Sequence, residues 1–138
     1  TTPPTSAETI DASTGEITGG IGGTIYDVTY TTLGICPQSS NATVTVNPLD
    51  DATFTLADYC VGSPNSATVT GTSGGVFTFT TPPTSAETID ASTGEITNGI
   101  SGNTYSITYT TPGPNCIQSS ILTVNIYLTP ITGPIIHW

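Results

Sequence analysis

The chain is predicted to be all-β, a sandwich of short strands, and three observations carry that prediction. Threonine or serine alternates with apolar residues at a period of two, as in Phe77-Thr78-Phe79 and Tyr105-Ser106-Ile107-Thr108-Tyr109. That is the pattern of a strand with one face buried and one face wet. Glycine and proline punctuate the chain between such runs, and nowhere do apolar residues recur at the i, i+3, i+4, i+7 spacing of an amphipathic helix. The third observation is a duplication. Thr-Pro-Pro-Thr-Ser-Ala-Glu-Thr-Ile-Asp-Ala-Ser-Thr-Gly-Glu-Ile-Thr runs from Thr2 to Thr18 and returns unchanged from Thr81 to Thr97, an offset of 79 residues. This period is too long for one turn of a solenoid and suits a small β domain.

Beyond the block the two copies continue in parallel. Ile25-Tyr-Asp-Val-Thr-Tyr-Thr-Thr32 is matched by Thr104-Tyr-Ser-Ile-Thr-Tyr-Thr-Thr111. A one-residue insertion near Asn115 then sets Cys36 opposite Cys116, and Thr43-Val-Thr-Val46 falls opposite Thr123-Val-Asn-Ile126. Residues 50–79 have no counterpart in the first copy. Residues 1–47 are therefore expected to be the C-terminal part of one repeat and residues 48–126 a complete repeat. Residues 127–138 are expected to form a linker, the first strand of a following domain, or a donor strand.

Within the complete repeat the strands are predicted in order. Ala52, Phe54 and Leu56 share one face of the first, and Ala67 and Val69 one face of the second. Phe77 and Phe79 follow the Ser73-Gly74-Gly75 turn, and Pro82-Pro83 ends their strand because proline cannot donate to a ladder. Ile89 and Ile96 flank a turn in which Asp90 is placed to accept amides and Gly94 to take a positive φ. Tyr105, Ile107 and Tyr109 line the longest strand, and Leu122, Val124 and Ile126 the last. Seven or so strands separated by turn residues give a sandwich of Greek-key type.

Composition limits the function. The chain has no lysine or arginine against ten acidic residues, a net charge of −10, yet only 7% of its residues are charged. A surface without basic groups cannot neutralise phosphates, which argues against nucleic acid and anionic lipid as partners. It also offers trypsin no cleavage site. No apolar run is long enough to cross a membrane. The chain opens on Thr1 without initiator methionine or signal peptide, so a processed product or a fragment is expected. Apolar residues make up 35%, a modest supply for a core of this size. With three cysteines, these features suggest an extracellular setting.

Cys60 is predicted just before the second strand and Cys116 just after the tyrosine strand, positions expected to meet at one end of a sandwich. A disulfide there would stabilise by roughly 4 kcal/mol in the chain-entropy model; a free buried thiol is the alternative. Cys36 repeats the place of Cys116, so its partner is expected outside the given chain or in another subunit. No thiolate metal site is expected without a Cys-x-x-Cys pair.

Catalytic chemistry finds few groups. His137 is the only histidine, and it stands in an apolar tail rather than in a Ser-His-Asp setting. Asp90-Ala-Ser-Thr-Gly94 spaces its carboxylate wrongly for an aspartic protease, and no glycine-rich loop precedes a lysine. The chain is not expected to be an enzyme. Calcium is the one metal worth weighing, with Asp50, Asp51, Glu87 and Asp90 as weak candidates. Glu87, Asp90 and Glu95 recur as Glu8, Asp11 and Glu16. Oxygen ligands suit calcium, but no Asp-x-Asp-x-Asp-Gly loop is present. The favoured reading has Asp90 capping its turn and the glutamates in solvent. Asn41-Ala-Thr43 is a glycosylation sequon on a predicted strand and is read as chance. Tyr105 and Tyr109 run in phase with Ile107, so packing is expected rather than ligand stacking.

Taken together, Tyr59-Cys60 ahead of Ala67-Thr-Val-Thr70, Gly74-Gly-Val-Phe77, Ile89-Asp-Ala-Ser-Thr-Gly-Glu-Ile96, Thr104-Tyr-Ser-Ile-Thr-Tyr109 and a late cysteine resemble a known family. It is that of the immunoglobulin-like tandem repeats of large secreted surface proteins of Bacteroidota-type bacteria. The resemblance covers residues 50–126 and, in part, 1–47. The family's glycine directly before the Thr-Tyr pair is displaced here to Gly102. By resemblance the fold is a tandem array of immunoglobulin-like Greek-key β-sandwiches with a 79-residue repeat, and the proteins are stalks and adhesins that bring no catalytic residues.

The expected function is thus structural: an extracellular fibre or stalk for cell-surface adhesion, its repeats or subunits meeting end to end. A self-assembling filament built by strand addition is a sharper form of it. There the apolar tail with Ile131, Ile135, Ile136 and Trp138 would supply a strand to a neighbour whose sandwich is incomplete. The alternative is a carbohydrate- or protein-binding module of a secreted protein, meeting surface glycans or a host or substrate surface.

Overall fold

A computed structural model describes residues 7–113 and 116–133. Among them there are twelve strands and no helix. The chain divides into two compact units, Thr1–Leu49 and Asp50–Trp138.

The second unit carries eight strands: β5 (Phe54–Thr55), β6 (Tyr59–Cys60), β7 (Thr68–Val69), β8 (Val76–Phe79), β9 (Thr88–Ile89), β10 (Ile96–Thr97), β11 (Thr104–Thr110) and β12 (Ser119–Tyr127). β11 and β12 form a long antiparallel hairpin, with Tyr105 opposite Val124 and Tyr109 opposite Ser120. β8 adds antiparallel to the free edge of β11, setting Phe77 opposite Tyr109. β6 adds to the free edge of β12, but parallel, with Cys60 opposite Tyr127. The result is a four-stranded sheet in the order β6-β12-β11-β8.

The alternation in sequence decides which face of that sheet is dry. Tyr105, Ile107 and Tyr109 point to the buried side of β11, while Val124 and Ile126 do so on β12. The two-stranded β5–β7 sheet covers this face. Phe54 meets Phe77 edge-on at 5.3 Å between ring centroids, and Tyr109 lies 4.7 Å from Phe77. Ala52, Leu56 and Ile96 complete the core. Two sheets enclosing one apolar layer make this a β-sandwich. Burial of its aromatic and aliphatic side chains contributes about 1.5–3 kcal/mol each.

The β6 segment is anchored by a carboxylate. Asp58 accepts from the Asn125 amide at 2.7 Å, from Asn125 Nδ2 at 3.1 Å and from the Tyr127 hydroxyl at 3.4 Å. These bonds, the Asn125 amide above all, hold its carboxyl below the usual aspartate range.

The first unit carries β1 (Thr9–Ile10), β2 (Ile17–Thr18), β3 (Ile25–Thr31) and β4 (Ser39–Thr45). β1 pairs with β2 as β9 pairs with β10, and β3 with β4 as β11 with β12. Even the loop closures match. Thr32 Oγ1 accepts the Gln38 amide at 2.9 Å, and Thr111 Oγ1 accepts the Gln118 amide at 2.9 Å. What differs is burial. None of the buried apolar side chains of the described chain belongs to the first unit.

The expected disulfide is corrected by this topology. Cys60 is the partner of Tyr127 at the far end of β12, whereas Cys116 precedes the start of that strand at Ser119. A strand of nine residues separates its ends by roughly 25 Å, while a disulfide needs Cα atoms about 4.4–6.8 Å apart. No disulfide links the described residues. The pairing rested on placing Cys60 just before the second strand; its place in a parallel edge strand moves it to the other end of the sheet.

Candidate functional site

The repeated block folds into a hairpin whose turn satisfies itself. Asp90 Oδ1 accepts from the Ser92 and Thr93 amides at 2.9 and 2.8 Å, and from both of their hydroxyls at 2.8 and 3.0 Å. The Gly94 amide donates to the Asp90 carbonyl at 2.8 Å, and Gly94 itself sits at φ +70°. Asp11 repeats the arrangement with the Ser13 and Thr14 amides at 2.8 Å each. Four donors on one oxygen favour the ionised form. The Asp90 carboxyl is held at about 2, first by the Ser92 hydroxyl, and that of Asp11 at about 2, first by the Thr14 amide.

The glutamate of the block does something the sequence reading did not foresee. Glu87 is buried, and its Oε1 accepts from the Tyr105 hydroxyl at 2.9 Å; the Ile100 amide in turn donates to that hydroxyl at 3.1 Å. Glu8 is likewise buried, with the Tyr26 hydroxyl donating to its Oε1 at 3.1 Å and the Ile21 amide donating to Tyr26 at 3.0 Å. The clasp ties the β9–β10 hairpin to the tyrosine strand, and β1–β2 to β3. Glu87 Oε2 is buried with no hydrogen-bond partner among the described residues. It borders a hollow of about 250 Å³ that Asn103, Ser106 and Pro83 also line. The recurrence of Glu and Tyr at one spacing, 18 residues in each copy, was the available signal.

The calcium candidates do not come together. Asp51 Oδ1 is taken by the amide and hydroxyl of Thr53, which lower its carboxyl below the ordinary value, the hydroxyl first. The Asp50 amide donates to the Cys116 carbonyl at 3.3 Å. Asp90 serves its own turn and Glu87 serves Tyr105. Among the described residues no three His, Cys, Asp or Glu side chains group as metal ligands would.

A groove of about 510 Å³ lies beside β6 and β10, lined by Tyr59, Ser63, Asn65, Glu95, Asn98 and Gly99 among others. Asn65 is fixed there. Its Oδ1 accepts the Ile96 amide at 3.2 Å and its Nδ2 donates to the Ile96 carbonyl at 3.4 Å. The Tyr59 hydroxyl is buried with no hydrogen-bond partner among the described residues. Burial first, and then the neighbouring Tyr105 and Glu95, push its phenol up to about 12. The lining thus mixes amide, hydroxyl and carboxylate groups.

Of the assembly candidates, Ile131 is 96% exposed. Ile135, Ile136 and Trp138 lie outside the described residues, as does His137. Cys36 is exposed. Comparison of the chain with family models, curated proteins and solved structures finds no match.

Proposed function

We propose that the protein is a structural repeat of an extracellular fibre or stalk serving cell-surface adhesion, built of immunoglobulin-like Greek-key sandwiches in tandem. One observation carries the reading. The described part of the repeated block, residues 7–18, folds as residues 86–97 do, with Asp90 and Asp11 bonded to their turns and Glu87 and Glu8 to a tyrosine. A segment kept unchanged for its shape, with its aspartate and its first glutamate each bonded within the fold, suits a building unit better than a site. The acidic, lysine- and arginine-free composition supports a place outside the cell and argues against nucleic-acid partners. Negative-stain electron microscopy of the native material tests this. Long thin fibres with an axial spacing of a few nanometres are expected, and discrete globular particles would sink the reading.

The groove beside Tyr59 favours a second reading, a carbohydrate- or protein-binding module. Asn65 and Asn98 offer amide groups at its wall, and Glu95 a carboxylate at its rim. Reproducible, competable hits on a glycan array, abolished by Asn98→Ala, would favour this reading over the stalk.

A further inference from the structure

The two units present the same hairpin, covered in one and bare in the other. Tyr109 is 1% exposed and its counterpart Tyr30 is 66% exposed; Val124 is 0% exposed and its counterpart Val44 is 42%. The cover in the second unit is the segment from Asp50 to Phe79, and it makes specific bonds. Its Phe77 amide donates to the Ala91 carbonyl at 2.9 Å, and its Ala67 amide to the Thr93 carbonyl at 2.8 Å. The Gly75 amide donates to the Tyr109 hydroxyl at 2.9 Å, which donates onward to the Thr72 carbonyl at 2.7 Å. Gly94 packs against this cover, a Cβ built there falling 3.0 Å from the Ala67 side chain and 3.2 Å from the Phe77 ring. Gly15, its counterpart, has nothing within 4 Å. The Ala12 and Thr14 carbonyls and the Tyr30 hydroxyl receive no such bonds among the described residues.

We infer that the bare face of the β3–β4 hairpin is a docking site for a β segment with the residue pattern of 50–79, carried by a repeat other than the one in this chain. Matching chemistry identifies the occupant. The face offers the apolar row, the two carbonyls and the tyrosine hydroxyl that segment 50–79 engages one repeat later. Among the described residues both edges of the hairpin are open, β3 where β8 would pair antiparallel and β4 where β6 would pair parallel. A second copy of residues 1–138 cannot supply the segment without loss. Each copy has two such hairpins and one covering segment, so any exchange uncovers one face for each it covers. The inference rests on the two folded units and stands apart from the stalk reading.

The test titrates a synthetic peptide spanning Asp50–Thr80 into the full chain and follows hydrogen exchange by segment. Saturable binding of one peptide per chain is expected, slowing exchange across β3 and β4 by about tenfold or more and leaving β11 and β12 unchanged. The peptide carrying Phe54→Ser and Phe77→Ser should not bind. Tyr30→Phe should weaken binding by about fivefold or more, since the hydroxyl's two bonds to the segment are lost. Unchanged exchange at saturating peptide would overturn the proposal, as would slowing confined to β11 and β12. Protection of β3 and β4 that rises with chain concentration without peptide would assign the face to a second copy and overturn it equally.

Discussion

Glu87 and Tyr105 illustrate how a residue's role follows from its partner. The carboxylate can be buried because a phenol donates to it, and the phenol is held because the Ile100 amide donates to its oxygen. Tyr105→Phe removes the hydroxyl from both bonds. It should cost about 1–3 kcal/mol in urea unfolding, since the buried Glu87 carboxylate and the part-buried Ile100 amide lose their partner. Asp90 acts through a different balance. Its folded carboxyl is depressed to about 2, so the turn's contribution is complete above the ordinary aspartate value and is lost as pH falls through about 2. Stability should therefore hold from neutrality to about pH 5 and decline between about pH 4 and 2. Asp90→Asn keeps an acceptor without a charge and should flatten that decline in urea midpoints compared across pH. Tyr59 gives the opposite sign. Its phenol is raised to about 12, so the stability linked to it is present below the ordinary tyrosine value and lost as pH climbs through about 12. Tyrosinate absorbance should show a late-titrating component that is missing in Tyr59→Phe. Asp90's role was legible because an aspartate followed by Ser-Thr-Gly defines its own turn locally. Glu87's was not, because its partner lies 18 residues away and only folding brings the two together.

Strands announced by alternation were found where expected, the tyrosine strand as β11 and the last strand as β12. The aromatic pair Phe77 and Phe79 falls on β8. Very short strands were another matter. β6 has two residues and no alternation to display, and it exists because Asp58 and the edge of β12 hold it. Overlooking it also misled the cysteine pairing. Glycine at an element's edge is similarly constrained by its neighbour. A Cβ on Gly75 would lie 2.1 Å from the Thr110 carbonyl oxygen and 2.8 Å from the Tyr109 hydroxyl. Gly75→Ala should push β8 off β11 and destabilise by about 1–3 kcal/mol, as overpacking does, read as a lower thermal midpoint.

Across the whole molecule, one sequence pattern yields a closed core and an open face within a single chain. Duplication was legible in the sequence, as was the lack of a counterpart to residues 50–79 within residues 1–49. The physical meaning of that absence needed burial values, since Tyr30 and Tyr109 look alike in sequence and differ only in what covers them. The parallel pairing of β6 with β12 carries a mechanical consequence. A force applied at the start of β6 and at the end of β12 draws them in opposite directions along adjoining strands. The bonds of Asp58 to Asn125 and of the Val61 amide to the Tyr127 carbonyl then bear load side by side and must yield together. An antiparallel pair gripped at one end would peel one bond at a time. The shortest strand in the sheet therefore sits where it can act as a shear clamp.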